Sequence, residues 1–148
     1  MPRRYKRIFR GTRQSDVLTG TDKRDVLRGF GGDDVIDGGL GNDKAWGGAG
    51  RDTFVTLNGG RGRLKIMDFE MGDRVAVCGC SATRIEQRGK NAWIVKGDDV
   101  KAVLKGVNAE DLEIDFASRL ITMVNDSLAY TTSAKLSPIT DDCSGLDR

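Results

Sequence analysis

Apolar residues in the first third of the chain recur at intervals of nine: Leu18, Leu27, Ile36, Ala45 and Phe54. Polar or charged residues and glycines fill most of the positions between them. A nine-residue interval suits neither the helical period of about 3.6 nor a long alternating strand. It suits a coil in which six turn residues precede three residues of strand, with the middle strand residue facing inward. The pattern predicts strands at 17–19, 26–28, 35–37, 44–46 and 53–55. Two such units make one turn of the coil, so the strands form two short parallel sheets face to face. Their inward residues then stack as a narrow apolar spine.

In rows of nine from Gly11 the chain reads GTRQSDVLT, GTDKRDVLR, GFGGDDVID, GGLGNDKAW and GGAGRDTFV. Glycine holds the first position in every row, as Gly11, Gly20, Gly29, Gly38 and Gly47. Aspartate holds the sixth, as Asp16, Asp25, Asp34, Asp43 and Asp52. Glycine supplies positive φ in tight turns and lets neighbouring backbones approach. Stacking alternate rows puts Asp16, Asp34 and Asp52 in one column of like charge, and Asp25 and Asp43 in another. Carboxylates held this close repel unless a cation lies between them. Hard oxygen ligands with no imidazole or thiol nearby favour calcium. A sixth row, TLNGGRGRL, has Arg61 in the aspartate position, so the array is expected to stop there.

Composition narrows the function. The 148 residues are 38% apolar and 6% aromatic, a thin supply for a conventional core, so bound ions have structural work to do. There is no histidine, which removes the commonest general base and any H-E-x-x-H or Ser/His/Asp set. The expectation is a binding or structural module and not an enzyme. A net charge of +2 gives no case for nucleic acid as a partner, although PRRYKRIFR opens the chain without an acid, as an arm or edge strand over residues 1–10. No stretch is apolar enough to span a bilayer. The basic start lacks the apolar run of a secretory signal peptide. Cys78, Cys80 and Cys143 are an odd number and are expected to be free, mostly buried thiols.

These rows resemble the glycine-rich nonapeptide G-G-x-G-x-D-x-U-x of the RTX (haemolysin-type) calcium-binding proteins. The following GRGRLKIMDFEMGDRVAV is similar to the stretch that closes the roll in such proteins, and NAWIVKGDDVKAVLKGVNAEDLEI to their C-terminal regions. The resemblance implies an all-β fold: a right-handed parallel β-roll over residues 11–55, followed by a β-rich capping region over 56–116 that includes a short helix. It also implies about three calcium ions, each between a turn and the turn two rows later. The first set is Gly11, Arg13 and Asp16 with Phe30, Gly32 and Asp34. The second is Gly20, Asp22 and Asp25 with Gly39, Gly41 and Asp43. The third is Gly29, Gly31 and Asp34 with Gly48, Gly50 and Asp52. Glycine is absent from position four in rows one and two, where Gln14 and Lys23 stand, and those rows serve only as lower turns.

The resemblance further implies a secreted protein in which calcium drives folding outside the cell. Residues 117–148, rich in Ser, Thr, Leu and Ala, are then a C-terminal tail: an export signal for a one-step (type I) exporter, a packed cap or a disordered end. The alternative is a module for acidic polysaccharides, similar to the repeat modules attached to alginate epimerases. Arg13, Arg24, Arg28, Arg51 and the outward Trp46 support it. Asn108 with acids after it predicts the short helix, Trp93 is expected to pack in a hairpin, and Asp98–Asp99 lie in a turn without a catalytic partner.

Overall fold

The computed structural model describes residues 7–56, 62–77 and 83–124. The cysteines, residues 1–6 of the basic arm and residues 125–148 of the tail lie outside them. The roll is built from β1 (Arg7–Arg10), β2 (Val17–Thr19), β3 (Asp25–Arg28), β4 (Val35–Asp37), β5 (Gly41–Trp46), β6 (Thr53–Val55), β7 (Gly62–Ile66) and β8 (Arg74–Ala76). The cap adds β9 (Thr83–Arg88), β10 (Asn91–Lys96), β11 (Asp99–Leu104), β12 (Leu112–Asp115) and β13 (Leu120–Met123). One sheet runs β1-β3-β5-β7-β11-β10-β9 and the other β12-β13-β8-β6-β4-β2. Within the roll every pairing is parallel, so the described chain is an all-β parallel β-roll with a β-rich cap.

The register is the one the rows predict. Leu18 pairs with Ile36, Ile36 with Phe54, and Leu27 with Ala45, each exactly two rows apart. Leu27, Ile36, Ala45 and Phe54 are fully buried, while Leu18 near the open end is only half-buried. With one inward residue per strand, the spine stays narrow until the cap widens it with Phe69, Ile94, Leu104 and Ile121.

Two expectations are corrected and one is refined. The parallel stack does not end where the aspartates do: Ile66 lies over Ala45 and Val75 over Phe54, so β7 and β8 add another turn despite Arg61. Stacking needs apolar residues in register, and it tolerates the loss of the repeat signature. The expected short helix is present as a single 3-10 turn at Ala109–Asp111 with Asn108 at its N-cap position, although the Asn108 side chain makes no capping hydrogen bond. Leu112 follows at once in extended conformation and pairs with Met123, which ends the helix after one turn. The sheet also continues beyond Phe116, because β13 lies between β12 and β8. At the other end Arg7–Arg10 is an edge strand on β3.

Candidate metal centre

Each turn places the position-six carboxylate in a fixed way. The Asp16 N–H donates to Asp34 Oδ1 at 2.8 Å, and the Asp34 N–H to Asp52 Oδ1 at 2.9 Å. On the other edge the Asp25 N–H donates to Asp43 Oδ1 at 2.8 Å. The second oxygen folds back over its own turn. A Cβ on Gly11 would meet Asp16 Oδ2 at 2.7 Å, one on Gly38 would meet Asp43 Oδ2 at 2.6 Å, and Gly29 and Gly47 are tighter still. Position one is glycine because the carboxylate occupies the space of a side chain.

What satisfies that second oxygen differs between rows. In rows one and two a threonine follows the glycine. The Thr12 N–H donates to Asp16 Oδ2 at 2.6 Å and the hydroxyl at 3.0 Å; Thr21 does the same for Asp25 at 2.6 and 2.8 Å. Rows three and five have Phe30 and Gly48 there, and Asp34 Oδ2 and Asp52 Oδ2 are buried without a hydrogen-bond partner. Asp25 Oδ1 is a third such atom. An ionised oxygen left without a partner in a buried site carries a large desolvation cost.

Electrostatics agree. Burial, opposed by a backbone hydrogen bond and reinforced by neighbouring carboxylates, pushes Asp34 up to about 6, Asp43 to about 7 and Asp52 to about 8. A cation beside these oxygens would reverse the shift. Among the described residues no three acidic, cysteine or histidine side chains converge on one point. A cation here would therefore draw most of its ligands from turn carbonyls, as calcium does readily.

The turns carry the predicted glycine geometry. Gly32, Gly41 and Gly50 at position four all have positive φ, whereas Gln14 and Lys23 in the lower rows do not. Phe30 takes φ 74°, close to Gly39 at 78° and Gly48 at 86°, so it follows the glycine path despite its side chain. Its carbonyl accepts the Ala49 N–H at 2.9 Å, and the Gly29 carbonyl accepts the Gly31 N–H at 3.1 Å, so two carbonyls of the expected ligand sets are already engaged. Arg13 and Asp22 lie exposed in the lower turns, and Gly31 stacks on Arg13. Gly20 lies directly against the Gly38 carbonyl of the row two above.

Sequence reasoning missed Asp73. It is fully buried, its Oδ1 accepts the Asp52 N–H at 2.9 Å, and its Oδ2 accepts the Glu70 N–H at 3.0 Å. It continues the column Asp16–Asp34–Asp52, and burial pushes it up to about 7. The available signal was the run Asp73-Arg74-Val75, which repeats the aspartate-x-apolar end of a row. Asp68 closes the stack by accepting the Gly47 and Gly48 N–H groups at 2.8 and 2.9 Å. Trp46 is half-buried, with the Arg28 guanidinium 4.6 Å above its ring, and is not an open platform.

A parallel roll with carboxylates stacked at its turns defines a cation-binding solenoid. Residues 10–45 and 40–63 match the family model of the RTX calcium-binding nonapeptide repeat, in four copies, so this stretch consists of RTX calcium-binding repeats. No curated protein sequence matches the chain. Among solved structures, it is similar to the AlgE6R3 subunit of the Azotobacter vinelandii mannuronan C5-epimerase. The identity is 26%, over 65% of this chain and 73% of that one, with a TM-score of 0.39.

Proposed function

We propose that about three calcium ions bind between stacked turns of the roll, in the ligand sets given by the rows, and that binding drives folding outside the cell. The observation that carries this reading is the pair of buried, unpartnered oxygens on Asp34 and Asp52, in rows that lack the threonine of rows one and two. Without a cation the column is electrostatically unfavourable; with one, the glycine-rich turns have a reason to order. The module is non-catalytic. Its affinity is on the order of 10⁻⁴ to 10⁻³ M, as in other extracellular calcium modules. A cytoplasm poor in calcium then keeps the chain loose enough for a one-step exporter, with the segment beyond residue 124 as its signal.

The test is far-UV circular dichroism of calcium-free protein during calcium titration, with magnesium as control. Calcium should convert a disordered spectrum into a β-rich one. A spectrum β-rich from the start and indifferent to calcium overturns the reading. Removing residues 125–148 spares β13 and should abolish export while leaving the calcium response intact; secretion at the full-length level refutes the signal.

A further inference from the structure

The cap closes one end of the roll and leaves the other open. At the open end β1 and β2 are the outermost strands of their sheets, each paired on one side only, with β3 and β4. An outermost strand presents unpaired main-chain N–H and C=O groups, a template for another strand. The apolar spine also lacks cover there. Phe9 stacks on Leu27 and Leu18 on Ile36; Leu27 and Ile36 are fully buried, whereas Phe9 and Leu18 are only partly so. Beside them Ile8 is 55% and Val17 74% exposed.

The two edges differ in charge. β1 reads RIFR, with an arginine at each end, whereas β2 reads VLT and has no charge. Asp16, the first carboxylate of the long column, stands immediately before β2. Asp34, Asp52 and Asp73 each accept the N–H of the aspartate beneath. Among the described residues Asp16 accepts only from Thr12 of its own turn, and no N–H reaches it from below. One edge thus carries cations, and the other is an apolar strand beside an acid.

We propose that a second copy of this chain covers the open end, head to head, in a closed two-fold dimer. Successive strands of a coil run in opposite senses, so a two-fold axis along the strands lays β1 of each copy antiparallel to β2 of the other. The register that continues the spine sets Leu18 against the partner's Phe9. Thr19 then faces the partner's Ile8, and Val17 faces the partner's Arg10, whose guanidinium reaches Asp16. Apolar and opposite-charge pairs across such a ladder are stabilising. The other two-fold arrangement pairs each strand with its own copy. It gathers the arginines of both chains on one strand pair and leaves Asp16 without a cation, a like-charge juxtaposition that disfavours it. Two short strands per copy make a small face, so association is weak and shows at high protein concentration. The open end must form before it can be covered. Because calcium orders the roll in the reading above, more protein should lower the calcium needed for half-folding; this one point rests on that reading.

The experiment is sedimentation of the full chain, in calcium and in chelator, over about two decades of protein concentration, with circular dichroism on the same samples. Wild type should pass from monomer to dimer and no further, since a two-fold interface closes on itself. Val17 and Arg10 are exposed, so substitutions there spare the fold. Val17→Lys sets a second cation against the partner's Arg10, and Arg10→Glu sets an acid beside Asp16. Each should raise the dissociation constant about tenfold or more. The two together should restore association, because the exchanged charges then face each other across the same ladder; a mere disturbance of folding would not be rescued this way. Lys90→Glu, on the β9–β10 turn, should dimerise as wild type. A monomer at every concentration, as a strap of the same chain over β2 would give, overturns the proposal. So does association that both single variants leave unchanged, that the double variant fails to restore, or that grows into longer stacks. A chain already β-rich in chelator that still dimerises through the open end would instead sink the calcium reading and leave the dimer standing.

Discussion

Asp52 allows the cost of the carboxylate column to be worked out. Its side chain is buried, faces Asp34, Asp68 and Asp73, and is pushed from 3.8 to about 8 in the metal-free fold. A group whose folded pKa lies above its unfolded value binds more protons when folded. Metal-free stability therefore falls as pH rises from the unfolded pKa through the folded one, and recovers below about 4. Between 3.8 and pH 7 the unfolded carboxyl ionises freely while the folded one resists. That span is roughly three units at about 1.4 kcal/mol each, or about 4 kcal/mol against the fold at neutral pH. Against a typical domain stability of about 5–15 kcal/mol, this single residue can decide whether the metal-free roll forms.

Asp52→Asn removes the ionisation and keeps an oxygen to accept the Asp34 N–H. Calcium-free wild type should gain β-structure as pH falls from 7.5 to 4.5, as seen by circular dichroism. Calcium-free Asp52→Asn should already be more ordered than wild type at pH 7, with a flatter pH profile and weaker calcium binding. Glu86, held below the usual carboxylate range by Arg88 and Arg84, stays ionised across this window and does not confound it. A variant no more ordered than wild type at pH 7, or a wild type that loses β-structure on acidification, would refute the reasoning.

Two further outcomes follow from the same geometry. Asp34→Asn should raise the calcium concentration needed for half-folding more than Asp16→Asn does, because Asp34 Oδ2 is buried and unpartnered whereas Asp16 Oδ2 is satisfied by Thr12; equal shifts in a calcium titration would mean the column is not the binding element. Phe30→Gly should stabilise the calcium-loaded roll by about 1 kcal/mol in urea unfolding, since a bulky residue at φ 74° pays a steric cost that glycine avoids, less the extra entropy of glycine in the unfolded chain; no gain would show that the exposed ring is held by contacts beyond the turn.

The roll was legible because its constraints are local and repeated. A glycine beside a folded-back carboxylate, an aspartate five residues on and an apolar residue two further fix each turn, and the two-row register follows. Asp73 escaped because the interval from Asp52 is 21 residues and not 18, and no glycine precedes it at position one. There Asp68 does a different task, accepting the N–H groups of the turn below. The cationic face of the seven-stranded sheet was only half visible. Arg24 stood out in the rows, but Arg63, Lys65 and Lys105 lie in segments without a repeat, and parallel pairing across β5, β7 and β11 brings them together. The helix is as short as expected because Asn108 and the acids after it favour a start, while Leu112 is claimed by a strand partner.

The two edges of the roll are unequal, and the inequality bears on how it orders. One column runs Asp16, Asp34, Asp52 and Asp73, each linked to the next by a main-chain N–H. The other has only Asp25 and Asp43, with Arg7 in register beneath and Leu64 above. The long column therefore reaches into the cap, where Val75, Ile121 and Leu104 supply an apolar core that owes nothing to a cation. The short one stops at apolar and basic residues. Rows nearest the cap dock on a surface that hydrophobic burial alone can hold, whereas row one has a half-buried Leu18 and an exposed Val17. The unpartnered oxygens of Asp34 and Asp52 lie nearer the cap than Asp16, whose second oxygen Thr12 satisfies. Calcium and apolar burial therefore act on the same rows, and row one, which has little of either, orders last.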